Sequence, residues 1–259
     1  MFTSYAAIGD SFTEGMGDEL PDGSVRGWAD FVAIGLSQAA LAAGGEAIGY
    51  ANLAIRGRKL APLLDEQLAP AIAMKPALLS LNGGGNDIMR PKILIDDVAD
   101  KLVAAARTAT DAGIHVLLLS GGNPAKNMPL GGLMQRRGDE LARAVRARGP
   151  HAGVTFVDNW ADEELTDIRY WSADKIHLNA IGHARVAGNV LRGLGITVPE
   201  QWGIDEDAVA RASRRNTLGY YREYVVPWVG RRLTGRSSGD GRAPKRATLL
   251  PVAIEGTAA

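Results

Sequence analysis

Five short apolar runs, Tyr5–Gly9, Ala47–Leu53, Ala77–Asn82, Ile114–Ser120 and Val154–Val157, are separated along the chain by longer stretches of helical pattern. The helical stretches fall at Trp28–Ala43, Lys59–Leu68, Ile93–Ala112, Leu130–Ala147 and Asn179–Gly193. A run that is apolar at every position, rather than at every second one, reads as a strand covered on both faces, as in parallel sheets. Strand and helix in alternation predict an α/β protein, a three-layer α/β/α sandwich with a five-stranded parallel sheet at its centre. In the longest helical stretch, Leu102, Val103, Ala106 and Ala109 share one face, the pattern of a helix lying on a sheet. Gly44-Gly45 and Gly113 read as helix stops, and Asn179 as the N-cap of the last core helix.

The pattern changes near Thr197. We read residues 1–196 as the core domain and 197–233 as a helical appendage ending in an aromatic cluster, Tyr220, Tyr221, Tyr224 and Trp228. Residues 234–259 are rich in Gly, Ser, Arg and Pro and read as a basic, disordered tail that the fold does not need.

Composition narrows the classes. With 46% apolar and 22% charged residues the chain is an ordinary globular one, and 259 residues suffice for one well-filled core plus the appendage. A formal net charge of zero gives no reason to expect a nucleic-acid partner. Cysteine is absent, which removes disulfides, thiol catalysis and thiolate metal sites. The four histidines show no metal-ligand spacing, so no metal is expected. Gly83-Gly84-Gly85 lacks the spacing of a dinucleotide loop and no phosphate-loop motif occurs, so no cofactor is expected either. No stretch is long and apolar enough to span a bilayer, and Met1–Ser4 leads into the first strand without a basic region and apolar leader. On that reading the protein is expected in the cytoplasm.

Candidate chemistry sits at the ends of the apolar runs, where open α/β sheets place their ligand crevice. Gly9-Asp10-Ser11 follows the first run, and a serine there reads either as a helix cap or as a nucleophile. Asp174 and His177, three residues apart, can supply from one loop a base and the acid that orients it. Gly57 and Asn86 follow the second and third runs and are suitable donors to a developing oxyanion. Asp10, the other candidate acid, is read as holding its own loop through backbone N–H groups, and Asp87 as positioning Asn86. Of the remaining histidines, His115 is expected in the core, His151 in solvent, and His183 at the surface or beside the site.

These four blocks, in this order, resemble the SGNH hydrolase superfamily, the GDSL-like esterases and lipases. The resemblance spans roughly residues 4 to 195 and rests on Gly9-Asp10-Ser11, Gly57, Gly84-Gly85-Asn86-Asp87 and Asp174 to His177. Phe12 stands where the family's nickname has leucine, which keeps an apolar side chain. The resemblance implies a flavodoxin-like strand order 2-1-3-4-5 and a serine hydrolase of acyl esters. It implies Ser11, His177 and Asp174 as the triad, with Ser11 and Gly57 N–H and the Asn86 amide as oxyanion donors. The expected partner is a small-molecule acyl ester. An acyltransferase using the same residues, or an idle interaction protein on the same fold, are the alternatives. The segments expected to line the acyl pocket are Thr13–Arg26 and Gly121–Gly132.

Overall fold

The computed structural model describes residues 1–128, 131–148, 151–213 and 238–254. The aromatic cluster from Tyr220 to Trp228 lies outside the described residues.

Each expected apolar run coincides with a strand to within a few residues: β1 Ser4–Ile8, β2 Gly49–Asn52, β3 Leu78–Leu81, β4 His115–Leu119 and β5 Val154–Val157. All five are parallel, in the order β2-β1-β3-β4-β5 that the family resemblance implies. Between them run α1 Ser11–Glu14, α2 Trp28–Ala42, α3 Leu60–Ala73, α4 Gly85–Ile88, α5 Ile95–Asp111, α6 Gly131–Ala147 and α7 Ala180–Gly193. The helix expected over Lys59–Leu68 continues through Pro70 to Ala73, where Ala71 is buried and anchors the extra turn. Asn179 caps α7 as expected, its side chain accepting from the N–H of Gly182.

The period of two along β1 divides the core. Tyr5 and Ala7 pack with α2 and α7 on one face of the sheet, whereas Ala6 and Ile8 pack with α3, α5 and α6 on the other. Two dry clusters separated by a buried sheet are the reason the strands are apolar at every position.

The tail departs from expectation. Residues Arg246–Pro251, placed by sequence in a disordered segment, form β6, which pairs antiparallel with β2 and makes the sheet six-stranded. The edge of β2 offers unpaired N–H and C=O groups, and β6 satisfies them. Just before β6, Lys245 Nζ donates to the carbonyls of Glu14 and Val25 and to Asp30 Oδ2. Pairing of this kind depends on an edge made by residues two hundred positions away, so local composition does not disclose it. In the appendage, Trp202 packs edge-on against Phe31 of α2, and α8 spans Glu206–Ser213 with Asp205 accepting from the N–H of Ala208.

Candidate active site

The carboxyl ends of β1 to β4 open into one cavity of about 620 Å³ that is lined by Ser11, Gly57, Asn86, Asp174 and His177 together. The four sequence blocks therefore meet in space, from four separate segments of the chain.

The Ser11 turn is fixed by its neighbours. Asp10, not Ser11, caps α1, its Oδ1 accepting from the N–H of Phe12. Gly9 packs so tightly that a Cβ would lie 2.2 Å from Thr13 Oγ1, which leaves glycine as the residue that fits. The backbone of Gly9 is gripped at both ends by Gln67 of α3, whose Oε1 accepts from Gly9 N at 2.8 Å while its Nε2 donates to Gly9 O at 3.0 Å. Gln67 is buried and went unremarked in the sequence, although a glutamine on the apolar Leu60, Leu63, Ala71 face of a helix is a visible anomaly. Glu14 was also missed. Its carboxylate accepts from both the backbone N–H and the guanidinium of Arg56, tying the Ser11 turn to the Gly57 turn.

Asn86 stands in the short helix α4. Asp87 Oδ2 accepts from Leu60 N at 2.8 Å, which joins this helix to the start of α3 and so to the Gly57 turn. The amide of Asn86 donates to Asp10 Oδ2 at 3.1 Å and to the carbonyl of Arg58 at 2.9 Å. Ser11 and Gly57, by contrast, give their backbone N–H groups to no described residue. Burial pushes the Asp10 carboxyl up to about 6, against the pull of the Phe12 N–H and of the nearby His177.

Asp174 and His177 close the site from a tight turn, with Lys175 in the left-handed region between them and Ser172 N donating to His177 O. Asp174 Oδ1 accepts from Ser172 Oγ and the N–H groups of Ile176 and His177; Oδ2 meets His177 Nδ1 at 2.5 Å. With Nδ1 held this way, Nε2 is the imidazole nitrogen left for other chemistry. Burial alone lowers the His177 pKa, but the Asp174 charge and hydrogen bond, helped by Asp10 and Glu19, outweigh it and the net shift is upward. Asp174 is itself held well below the usual carboxylate range: its own burial raises it, and the His177 charge and the converging N–H groups more than reverse that.

Of the two positions expected for it, at the surface or beside the site, His183 takes the second. It is fully buried, its Nδ1 accepting from Trp28 N and its Nε2 donating to Met16 O, and burial lowers its pKa to about 3. A neutral imidazole here joins α7, α2 and the Gly15–Gly17 loop. That loop backs His177, because a Cβ on Gly17 would meet Leu178 O at 2.1 Å and His177 Cβ at 3.1 Å. Among the described residues, no group of three or more His, Asp or Glu is arranged to hold a metal.

The deep part of the cavity was only half foreseen. Gly121, Gly122, Pro124 and Met128 come from an expected segment, but the apolar bottom is made by Leu102, Leu118, Ala142 and Val145, all buried, between β4, α5 and α6. Gly138 of α6 allows the Trp160 ring to lie against the helix and form part of the wall.

A serine, an Asp-held histidine and unspent N–H donors at one sheet edge are the parts of an acyl-transfer site. The model of the GDSL-like Lipase/Acylhydrolase family matches residues 7–185 of the chain. The chain belongs to this family. The GDSL-like hydrolase is thus an ester-hydrolysing enzyme, and its fold recurs in solved relatives of low identity. A lipase from goat rumen metagenome is 16% identical, with TM-score 0.61 over 73% of this chain and 96% of its own. A catalytic variant of an acetylxylan esterase from Geobacillus stearothermophilus is 22% identical, with TM-score 0.61 over 77% and 97%. A lipase/acylhydrolase from Enterococcus faecalis is 18% identical, with TM-score 0.57 over 76% and 99%. No curated protein sequence matches the GDSL-like hydrolase. Among its described residues no helix is long and apolar enough to cross a membrane.

Proposed function

We propose that the protein cleaves carboxylic esters through an acyl-enzyme on Ser11. Ser11 Oγ attacks the ester carbonyl carbon as His177 Nε2 takes its proton; Asp174 keeps the imidazole in the required tautomer and stabilises the imidazolium. The tetrahedral oxyanion accepts from the N–H groups of Ser11 and Gly57. Asn86 Nδ2 supplies the third donor by giving up a share of its bond to Asp10. Collapse expels the alcohol, which takes the proton from His177. Water, deprotonated by the same nitrogen, then attacks the acyl carbonyl and frees the acid and Ser11.

The observation that carries this reading is the His177 Nδ1–Asp174 Oδ2 contact of 2.5 Å in a cavity shared with Ser11 and two unspent backbone donors. The deep apolar end favours an acyl chain longer than acetyl, since each buried methylene gains about 0.8 kcal/mol. Activity on nitrophenyl esters from two to sixteen carbons tests this: kcat/KM is expected to climb past four carbons, and a maximum at acetate would contradict it. The same assay run with added alcohols separates hydrolysis from acyl transfer, free acid being the expected product.

A further inference from the structure

The cavity has a mouth as well as a bottom, and the mouth is not apolar. Lys59 and Arg242 are exposed and Arg90 half-buried, and all three line the same cavity whose floor is the buried Leu102, Leu118 and Val145. None of the three forms an ion pair with a described residue, whereas Arg56, the other cation of the wall, is neutralised by Glu14. The carboxylates in the lining are Asp10 and Asp174, both already engaged below the mouth. A chain with no net charge thus concentrates positive charge at one opening.

Arg242 arrives there from outside the family-matched residues 7–185. The segment that carries it is held firmly. Arg58 pairs with Asp240, Gly239 packs on the carbonyl of Arg56 so closely that a Cβ would lie 2.2 Å from it, and Lys245 is anchored to Glu14, Val25 and Asp30. Arg246 spends its guanidinium on the carbonyls of Tyr50, Leu250 and Pro251. Of the described cations in this segment two hold it in place. The third, Arg242, reaches the cavity, its Nε donating to the carbonyl of Ser238.

We propose that this C-terminal segment completes the site as a specificity element. Arg242, with Lys59 and Arg90, binds an oxyanion group, phosphate or carboxylate, carried on the alcohol side of the ester while the acyl chain enters the apolar end. An anion cannot take the deep end, where nothing would replace its water, and a guanidinium offers a carboxylate or phosphate two parallel donors. The proposal rests on the ester-hydrolase reading of the same cavity.

The test compares butyrate esters of phenol, 4-hydroxybenzoate and 4-hydroxyphenyl phosphate. In Arg242→Ala the ratio of kcat/KM for either charged ester to that for phenyl butyrate is expected to fall about fivefold, and further in Arg242→Glu. A larger fall for the phosphate than for the carboxylate ester identifies phosphate as the group recognised, and the reverse identifies carboxylate. Ratios unchanged in both variants, with native circular dichroism, would overturn it. Calorimetry with octyl phosphate and octyl glucoside reads the same site without chemistry. The wild type is expected to prefer the phosphate and Arg242→Ala to lose that preference, whether or not any ester is turned over. Equal binding of the two by the wild type contradicts the proposal, while absence of turnover alone contradicts the ester-hydrolase reading instead.

Discussion

The loops at the carboxyl edge of β1–β3 and the segment that carries β6 both wall the same cavity, yet they are built by different means. The Ser11, Gly57 and Asn86 turns are cross-braced by buried polar side chains: Gln67 on Gly9, Glu14 on Arg56, Asp87 on Leu60 and Asp10 on Asn86. The C-terminal segment is fastened from outside, by an edge-strand ladder and by partly exposed cations on carbonyls and carboxylates. The difference teaches which part tolerates change. Buried bonds leave unsatisfied groups when broken, while exposed ones are replaced by water. The proposed acyl chemistry rests on the first kind of support, and the proposed recognition of an anion on the second.

The largest effect is expected from removing the proposed nucleophile or base while keeping their supports. Ser11→Ala and His177→Ala should each lower kcat by about 10⁴-fold or more, with the double variant no worse than the singles, because such residues act as a unit. Thermal melts should stay near the wild type. More than about a tenth of wild-type activity in folded Ser11→Ala would be incompatible with the mechanism.

A second way to sharpen it is to remove the outer support. Truncation after Arg232 strips β6 and the burial of Val252, which is 9% exposed. Burial of one such side chain and loss of the ladder come to about 3 kcal/mol, or roughly 6–12 °C in Tm. An unchanged melting curve would show that β6 does not support the fold.

The inner support is tested by Gln67→Leu. It leaves the N–H of Gly9 buried without a partner, while the Gly9 carbonyl keeps the N–H of Ile55, at a cost of about 2 kcal/mol, and it loosens the turn that carries Ser11. Lys245→Ala on the outer support should cost only about 1 kcal/mol, since its ammonium and Asp30 are both partly in water. Equal losses from the two would erase the distinction between inner and outer bracing.

The smallest effect is one of pH. The base must be neutral to accept the Ser11 proton, and the His177 pKa is raised, so kcat/KM should climb with pH through an inflection above 6.5. Asp174→Asn removes the largest upward contribution, leaves burial opposed only by Asp10 and Glu19, and should move that inflection to lower pH at a lower plateau. Stability runs the opposite way: the charged pair favours folding below pH 6.5, and the His177 part of that is lost as pH rises through its folded value. An inflection that stays in place in Asp174→Asn would separate the rise in rate from His177.

What the sequence disclosed follows from the range of the interactions. The five parallel strands and their helices announce themselves because each buries both faces or one stripe of its own residues. The residues of the candidate site were legible as four short blocks, three just past β1, β2 and β3 and the fourth in the turn that leads into α7. Gln67, Glu14 and His183 were not, since their partners lie 58, 42 and 155 residues away and nothing local marks a polar side chain as bonded rather than exposed. The strand β6 was hidden for a related reason. Its Gly- and Pro-bearing approach resembles solvated chain, and only the open edge of β2 makes Arg246–Pro251 a strand.

The central claim is that Ser11 carries the acyl group. Mixing the enzyme with a nitrophenyl ester, quenching in acid within the first turnovers and measuring peptide masses tests it directly. One acyl mass increment is expected on the peptide containing Ser11, lost in Ser11→Ala and lengthened in lifetime in variants that slow water attack. An increment on another residue, or steady turnover with no increment in the Ser11 peptide at any quench time, would contradict it.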